Sequence, residues 1–429
     1  MTNLALLGGK PVRGVPWPRY NTIGDEEKRA VNEVLDSGVL SEYIAYAGPE
    51  FYGGQRVQRL ERAAEDYFGI KYAVSMNSAT SCLYAAVGAA GIGPGDEVIV
   101  SPYTMTASAT CVLVYNAIPV FADISPDTFC LDPASVRKAI TPRTKAIVVV
   151  DLFGQPAEMD AIMDIAREYD LIVIEDAAQA PGAMDSGRYA GTMGHIGVFS
   201  LNYHKTIHSG EGGIAVTNDG ALAERMQLIR NHAEVIVKDK GIQDISNMVG
   251  FNYRMTEIEA SIAFEQLKKL DGLVLARQEL AGLLTQHLGQ FPAITTPVVR
   301  EDVAHGWYVY SIKYDAKVAG IPRDLFVKAL NAEGIPMFPG YTEPIYRQPL
   351  YQNRIAFGSL GCPFTCGHYS GHVSYEKGLC PVAERMYDDE LMFTTACAAG
   401  VSTDDIADIA NAFEKVLANS KELAGASAD

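Results

Sequence analysis

Three short segments carry residue types that could do chemistry. Lys205 ends the run Phe199-Ser200-Leu201-Asn202-Tyr203-His204-Lys205 and is followed by Gly210-Glu211-Gly212-Gly213. Most lysines are solvated surface charges, but this one follows an apolar run and precedes glycines that permit tight turns and close backbone approach. Desolvation or a neighbouring cation would lower its pKa and free the amine as a nucleophile for a carbonyl; a purely structural lysine is the alternative. Asp176 follows the apolar run in Ile172-Val173-Ile174-Glu175-Asp176-Ala177-Ala178-Gln179. A carboxylate buried there needs a cation or a protonated ring nitrogen as partner, unless it merely caps the next turn. Asn77-Ser78-Ala79-Thr80-Ser81 leads into a helical pattern. Its small and hydroxyl residues would expose backbone N–H groups at a helix start, which is a seat for phosphate or an ordinary Ser/Thr N-cap.

Each signal is weak alone; their order makes the case. Phosphate seat, then acid, then lysine is what pyridoxal phosphate requires: a helix start for the phosphate, a carboxylate to keep the pyridine nitrogen protonated, and a lysine to form the Schiff base. Tyr103, in Ser101-Pro102-Tyr103-Thr104, would cover a face of the ring, and the Ser200 hydroxyl would add a phosphate contact.

The elements that must position these residues follow from periodicity. Helix spacing marks Asp25–Leu35, Arg56–Phe68, Ser81–Ala90, Pro133–Ala139 and Met159–Tyr169. Short β-rich runs lie at Tyr72–Met76, Glu97–Val100, Pro119–Phe121, Ala146–Asp151, Leu171–Asp176, Gly197–Leu201 and Gly213–Thr217. Strands apolar on both faces that alternate with helices predict an α/β fold with a mostly parallel sheet covered on both sides. The three segments then sit at strand ends or a helix start, where such sheets bind ligands. Beyond this, Met255–Leu288 reads as helical with a break near Asp271, Trp307–Tyr314 as a strand, and Pro322–Glu333 and Asp404–Leu417 as helices. We expect a large domain over residues 1–270, with its N-terminal segment able to pack on the smaller α+β domain of residues 271–429, and a frayed tail from Ala418 to Asp429.

Composition bounds the function. The chain has 429 residues, 48% of them hydrophobic and 20% charged, which is ample for two globular domains. A formal net charge of −17 argues against a nucleic-acid binder and against docking on anionic lipid. No apolar run is long enough to cross a bilayer, and the opening Met1–Tyr20 reads as mature protein rather than a signal peptide. Seven cysteines spread thinly suit reduced thiols in a cytoplasm.

With these residues in place, the chain resembles the DegT/DnrJ/EryC1/StrS family of sugar aminotransferases. The landmarks are Gly91-Ile92-Gly93-Pro94-Gly95-Asp96-Glu97-Val98, Glu175-Asp176-Ala177-Ala178-Gln179, Ser200 with Lys205, Gly210-Glu211-Gly212-Gly213 and Asn252-Tyr253-Arg254-Met255. The resemblance implies the type I aminotransferase fold and pyridoxal phosphate as cofactor, with pyridoxamine phosphate as intermediate. It implies Lys205 as Schiff-base lysine and proton shuttle, Asp176 at the pyridine nitrogen, Gln179 near the ring oxygen, and Ala79, Thr80, Ser81 and Ser200 around the phosphate. It also implies Tyr103 stacked on the ring and Asn252 reaching the phosphate of a second subunit in a homodimer. Ala79 departs from the glycine more usual before the threonine. The implied reaction is ping-pong transamination from an amino acid, glutamine or glutamate, to a keto-sugar or cyclitol ketone. The rivals are a sugar dehydratase or lyase, disfavoured by lysine rather than histidine at 205, and a non-catalytic regulator that keeps the fold.

Three features stay open at this point. Cys362, Cys366, His368 and His372 could hold zinc, but the spacing is not that of a standard finger, and loop cysteines are the preferred reading. Tyr341, Tyr346 and Arg347, in the segment Gly334–Tyr351, are candidates for substrate contact or for rim and core packing; the long stretch Gly334–Pro381 resembles the cyclitol branch of the family. Gly88, Gly91, Gly93 and Gly95 follow a helix and precede a strand, the reverse of a dinucleotide-binding turn.

Overall fold

The computed structural model describes residues 4–426. Seven strands form the large sheet: β1 (Tyr72–Met76), β2 (Glu97–Val100), β3 (Ile118–Phe121), β4 (Thr144–Val150), β5 (Ile172–Asp176), β6 (Ile196–Ser200) and β7 (Gly213–Thr217). Their order is β1-β7-β6-β5-β4-β2-β3. All run parallel except β7, which is antiparallel to both neighbours. Every residue of β2, β6 and β7 is buried, as apolar runs covered on both faces must be.

The helices cover this sheet in two ways. Ala79–Ala89 and Ala107–Val114 are apolar nearly all round and bury most of their residues. Asp25–Ser37, Gln55–Phe68 and Met159–Tyr169 keep a polar face outward. The helix Ala107–Val114 left no clear sequence signal, because it has no charged face and no capping side chain. The expected break near Asp271 falls at residues 268–269, between helices Glu257–Leu267 and Leu270–Leu288; Thr256 and Glu259 form a capping box at the first of these.

A second sheet holds β8 (Ile294–Thr295), β9 (Tyr310–Tyr314), β10 (Phe338–Pro339) and β11 (Leu391–Thr394), in the order β8-β9-β11-β10 with antiparallel pairing. Its core joins Leu284, Ile312, Phe326 and Phe413 with Leu4, and Leu6, Val12 and Trp17 pack against it. Arg13 fastens the N-terminal segment to the helix Thr403–Ala418 through Asp405 at 2.6 Å and Asp408 at 2.9 Å. The tail expected to fray is a helix over Ser420–Ala426, with Leu423 buried; residues 427–429 of that tail and residues 1–3 lie outside the described residues.

The long segment after Gly334 covers the sheet edge more than the ligand end. Tyr346, Tyr351 and Tyr375 pack around Phe121 of β3, the Tyr375 hydroxyl donates to the Pro119 carbonyl at 2.8 Å, and that of Tyr369 donates to Glu97 at 2.6 Å. A covered edge strand cannot template unwanted pairing. Among the described residues no helix is long and apolar enough to cross a membrane.

Candidate active site

The carboxyl ends of β4, β5 and β6 face the start of the helix Ala79–Ala89 across a cavity of about 220 Å³. Asp176 and Ser200 end their strands there, and Lys205 stands five residues past β6. Ser78 caps the helix, accepting from the Ser81 N–H at 3.0 Å, and Ser78, Ala79 and Thr80 line the cavity. Gly213, at the start of β7, lets the strand pass close to that helix end: a Cβ there would meet the Ala79 nitrogen at 2.5 Å.

Lys205 is buried, and its backbone N–H donates to the Asn202 carbonyl at 2.9 Å. Its Nζ lies 4.5 Å from the centroid of the Tyr308 ring. Burial lowers its pKa to about 8, and the Asp176 charge only partly opposes this. Asp176 accepts from the Ser108 hydroxyl at 2.7 Å and from the Ala178 N–H at 3.2 Å, and burial raises its pKa despite these donors. A cation set between this carboxylate and the amine would satisfy it, so the site suits a protonated pyridine ring. His204, at the mouth, is pushed toward the neutral form by burial and by Lys205.

Gln179 is held from both sides. Its Oε1 accepts from the Phe153 N–H at 2.9 Å, and its Nε2 donates to the Tyr341 hydroxyl at 3.0 Å. Burial pushes the Tyr341 phenol up to about 12, so it stays neutral. Phe153 has φ 61°, a conformation that costs a non-glycine residue on the order of 1–3 kcal/mol.

The fold thus gathers Ala79, Thr80, Asp176, Gln179, Ser200, Lys205 and Tyr341 around one space. The other expected residues lie elsewhere. The Ser81 hydroxyl is spent on Asn77 at 2.6 Å within the helix cap, and Ser78 takes its place at the cavity. Tyr103 is fully buried behind Tyr341, ring centroids 6.1 Å apart, and Met105, two residues on, lines the cavity instead. Tyr346 is a core residue that donates to Glu384 at 2.6 Å, and Arg347 forms a bidentate pair with Asp388 at 2.8 and 2.9 Å. Asn252 is exposed, with its Oδ1 taken by Arg254 at 2.8 Å, and it does not line the cavity of its own chain. Among the described residues no three His, Cys, Asp or Glu converge as a metal cage, and the Cys362 thiol instead contacts that of Cys366. Ser108 and Tyr308 were missed because neither stands in a motif; a helix turn and a second-sheet segment bring them in.

A lysine amine and a buried carboxylate across a cavity, at the ligand end of a seven-stranded sheet with one antiparallel strand, define the type I fold of pyridoxal-phosphate-dependent aminotransferases. The sequence profile of the DegT/DnrJ/EryC1/StrS aminotransferase family matches residues 21–376, and the chain belongs to that family. It is 36% identical to the L-glutamine:2-deoxy-scyllo-inosose aminotransferase of Streptomyces kanamyceticus over 99% of both chains. It is 39% identical to the GDP-perosamine synthase of Caulobacter vibrioides, over 73% of this chain and 83% of that one. The solved aminotransferase from Psychrobacter cryohalolentis superposes with a TM-score of 0.81 at 30% identity, covering 94% of this chain and 99% of that one. The protein is therefore an enzyme, a transaminase that uses pyridoxal phosphate.

Proposed function

We propose that the enzyme moves an amino group from glutamine or glutamate to the ketone of an uncharged sugar or cyclitol. The observation that carries this is the extent of the matches: glutamine-dependent inosose aminotransferases align over 98–99% of this chain, whereas the GDP-perosamine synthase aligns over 73%. The relative from Streptomyces kanamyceticus, matched end to end, supports the same choice.

In this reading pyridoxal phosphate supplies the electron sink for the carbanion when bound. The N–H groups at the start of Ala79–Ala89, with Ser78 and Thr80, bind the phosphate. Asp176, oriented by Ser108, holds the proton of the ring nitrogen at its carboxylate. Lys205 Nζ, partly neutral at working pH through burial, takes and returns the proton at the substrate carbon. Tyr308 shields that amine from water, and Gln179 and Tyr341 orient the ring oxygen.

The same reading includes a homodimer in which Asn252 serves the phosphate of a second copy. It is supported by the exposed Asn252 side chain and by exposed Val235, Ile245 and Val249 in the same stretch. It includes a cytoplasmic location, supported by seven unpaired cysteines, and a division into residues 1–270 and 271–429, supported by the separate core of the second sheet, although Val309, Tyr346, Tyr375 and Leu391 join the core of the large sheet and Leu4 that of the second.

The test is a screen of purified enzyme with glutamine or glutamate against uncharged inososes and nucleotide-linked keto-sugars, read by product mass. Nitrogen gained on an uncharged ketone is expected. Amination of nucleotide-linked sugars alone would overturn the acceptor class, and loss of water would favour the dehydratase.

A further inference from the structure

Behind the cavity, on the face of the sheet opposite Asp176, two more carboxyl groups are buried together. Asp151 follows β4 and Glu175 is the penultimate residue of β5; neither has exposed surface. Glu175 accepts three backbone N–H groups, from Gly191 at 2.7 Å, Met193 at 2.9 Å and Gly194 at 2.8 Å, the donor set of an ionised carboxylate. Asp151 accepts the Ala157 N–H at 2.8 Å on one oxygen, while the other is buried with no donor and faces Glu175. Two ionised carboxylates in contact without solvent are untenable, and a proton on the unpartnered Asp151 oxygen resolves both groups at once. Burial and the Glu175 charge push Asp151 in that direction.

The turn that Asp151 anchors joins the two sides of the active site. Between Asp151 and Ala157, Phe153 and Gly154 both take positive φ, 61° and 101°. The Phe153 N–H fixes the Gln179 amide at 2.9 Å. The Phe153 carbonyl accepts from Val309 at 3.3 Å and the Gly154 carbonyl from Gly306 at 2.7 Å, on either side of Tyr308, whose ring covers Lys205. A Cβ on Gly154 would meet the Trp307 nitrogen at 2.7 Å, so the two segments are in direct backbone contact.

We propose that Asp151 is a positioning residue that works as a neutral acid: its proton, shared with Glu175, locks the Phe153–Gly154 turn and thereby sets Gln179 and Tyr308 around the reacting amine. Asp151 touches neither substrate nor cofactor. The inference rests on the cavity being the reaction site and not on which acceptor it uses.

Asp151→Asn preserves a donor toward Glu175 and an acceptor for Ala157, whereas Asp151→Ala removes both. In the holoenzyme, D151N should keep kcat and the bound cofactor's visible spectrum within about threefold of the parent. D151A should lose tenfold or more in kcat with the donor KM little changed, and should shift that spectrum as Gln179 loosens. Infrared difference spectra of the folded parent against D151N should show the C=O stretch of a neutral carboxylic acid at pH 7, a readout that stands even if D151A fails to fold and that is independent of the acceptor. An absent acid band, or a D151N enzyme as impaired as D151A, would overturn the proposal.

Discussion

Two buried pairs of opposite charge sit beside the seven-stranded sheet, and they are built differently. Arg230 donates directly to Glu61 at 2.7 Å, and Ser75 binds both: its N–H and hydroxyl donate to Glu61, and its carbonyl accepts from Arg230. The Tyr43 ring lies 5.0 Å from the guanidinium. This pair is closed by direct contact through Arg230 Nη1, although Nε and Nη2 are buried without an acceptor, and it ties the helix Gln55–Phe68 to β1 and the helix Gly220–Arg230. Lys205 and Asp176 feel each other's charge yet share no hydrogen bond among the described residues, and the cavity opens between them. The structural pair joins its two charges directly; the other pair is held apart, with room for a ligand between them.

The largest expected effect tests the open pair. Lys205→Ala should lower transamination by more than about 10³-fold, in line with loss of the group proposed as both nucleophile and proton carrier. The same change should stabilise the cofactor-free fold at pH 7. In that fold Lys205 releases its proton near pH 8, below the ordinary value of 10.5, so the unfolded chain binds more protons between those values and stability rises with pH across that window. The gain is on the order of 3 kcal/mol, and in K205A the rise should vanish. Denaturant titrations at pH 7, 9 and 11 measure both.

The closed pair should answer in the opposite way. Arg230→Met leaves Glu61 buried without its cation and should cost about 3–5 kcal/mol of stability, with kcat at saturating cofactor nearly unchanged. A large loss of kcat with stability intact would erase the distinction between the two pairs. A smaller effect sharpens it: Ser78→Ala removes the cap at the phosphate seat and should cost about 0.5–2 kcal/mol while also weakening cofactor affinity, seen by dialysis and absorbance. A stability loss with affinity unchanged would separate the cap from the seat.

These pairs were not equally legible in the amino-acid sequence. Lys205, Asp176 and Thr80 stand at strand ends and a helix start, so local pattern placed them on one edge of the sheet. The strands themselves were readable because an apolar run of four to seven residues between turn signals has few other uses. Ser81 and Tyr103 were misplaced by one turn and by two residues, since spacing alone cannot say whether a hydroxyl faces its own helix cap or a ligand. Tyr346 and Arg347 stand close to Tyr341 in sequence, yet the chain turns onto β3 after residue 344, carrying them to the sheet edge. Tyr308, Ser108 and the Asp151–Glu175 pair are long-range tertiary contacts, which no local period encodes.

In the proposed reaction the amine of residue 205 is the group that joins the cofactor. Borohydride reduction of the enzyme saturated with pyridoxal phosphate, followed by peptide mapping, tests it most directly. One stoichiometric pyridoxyl adduct is expected on the peptide that carries Lys205 and none in K205A; an adduct on another lysine, or none in saturated protein, would rule that role out.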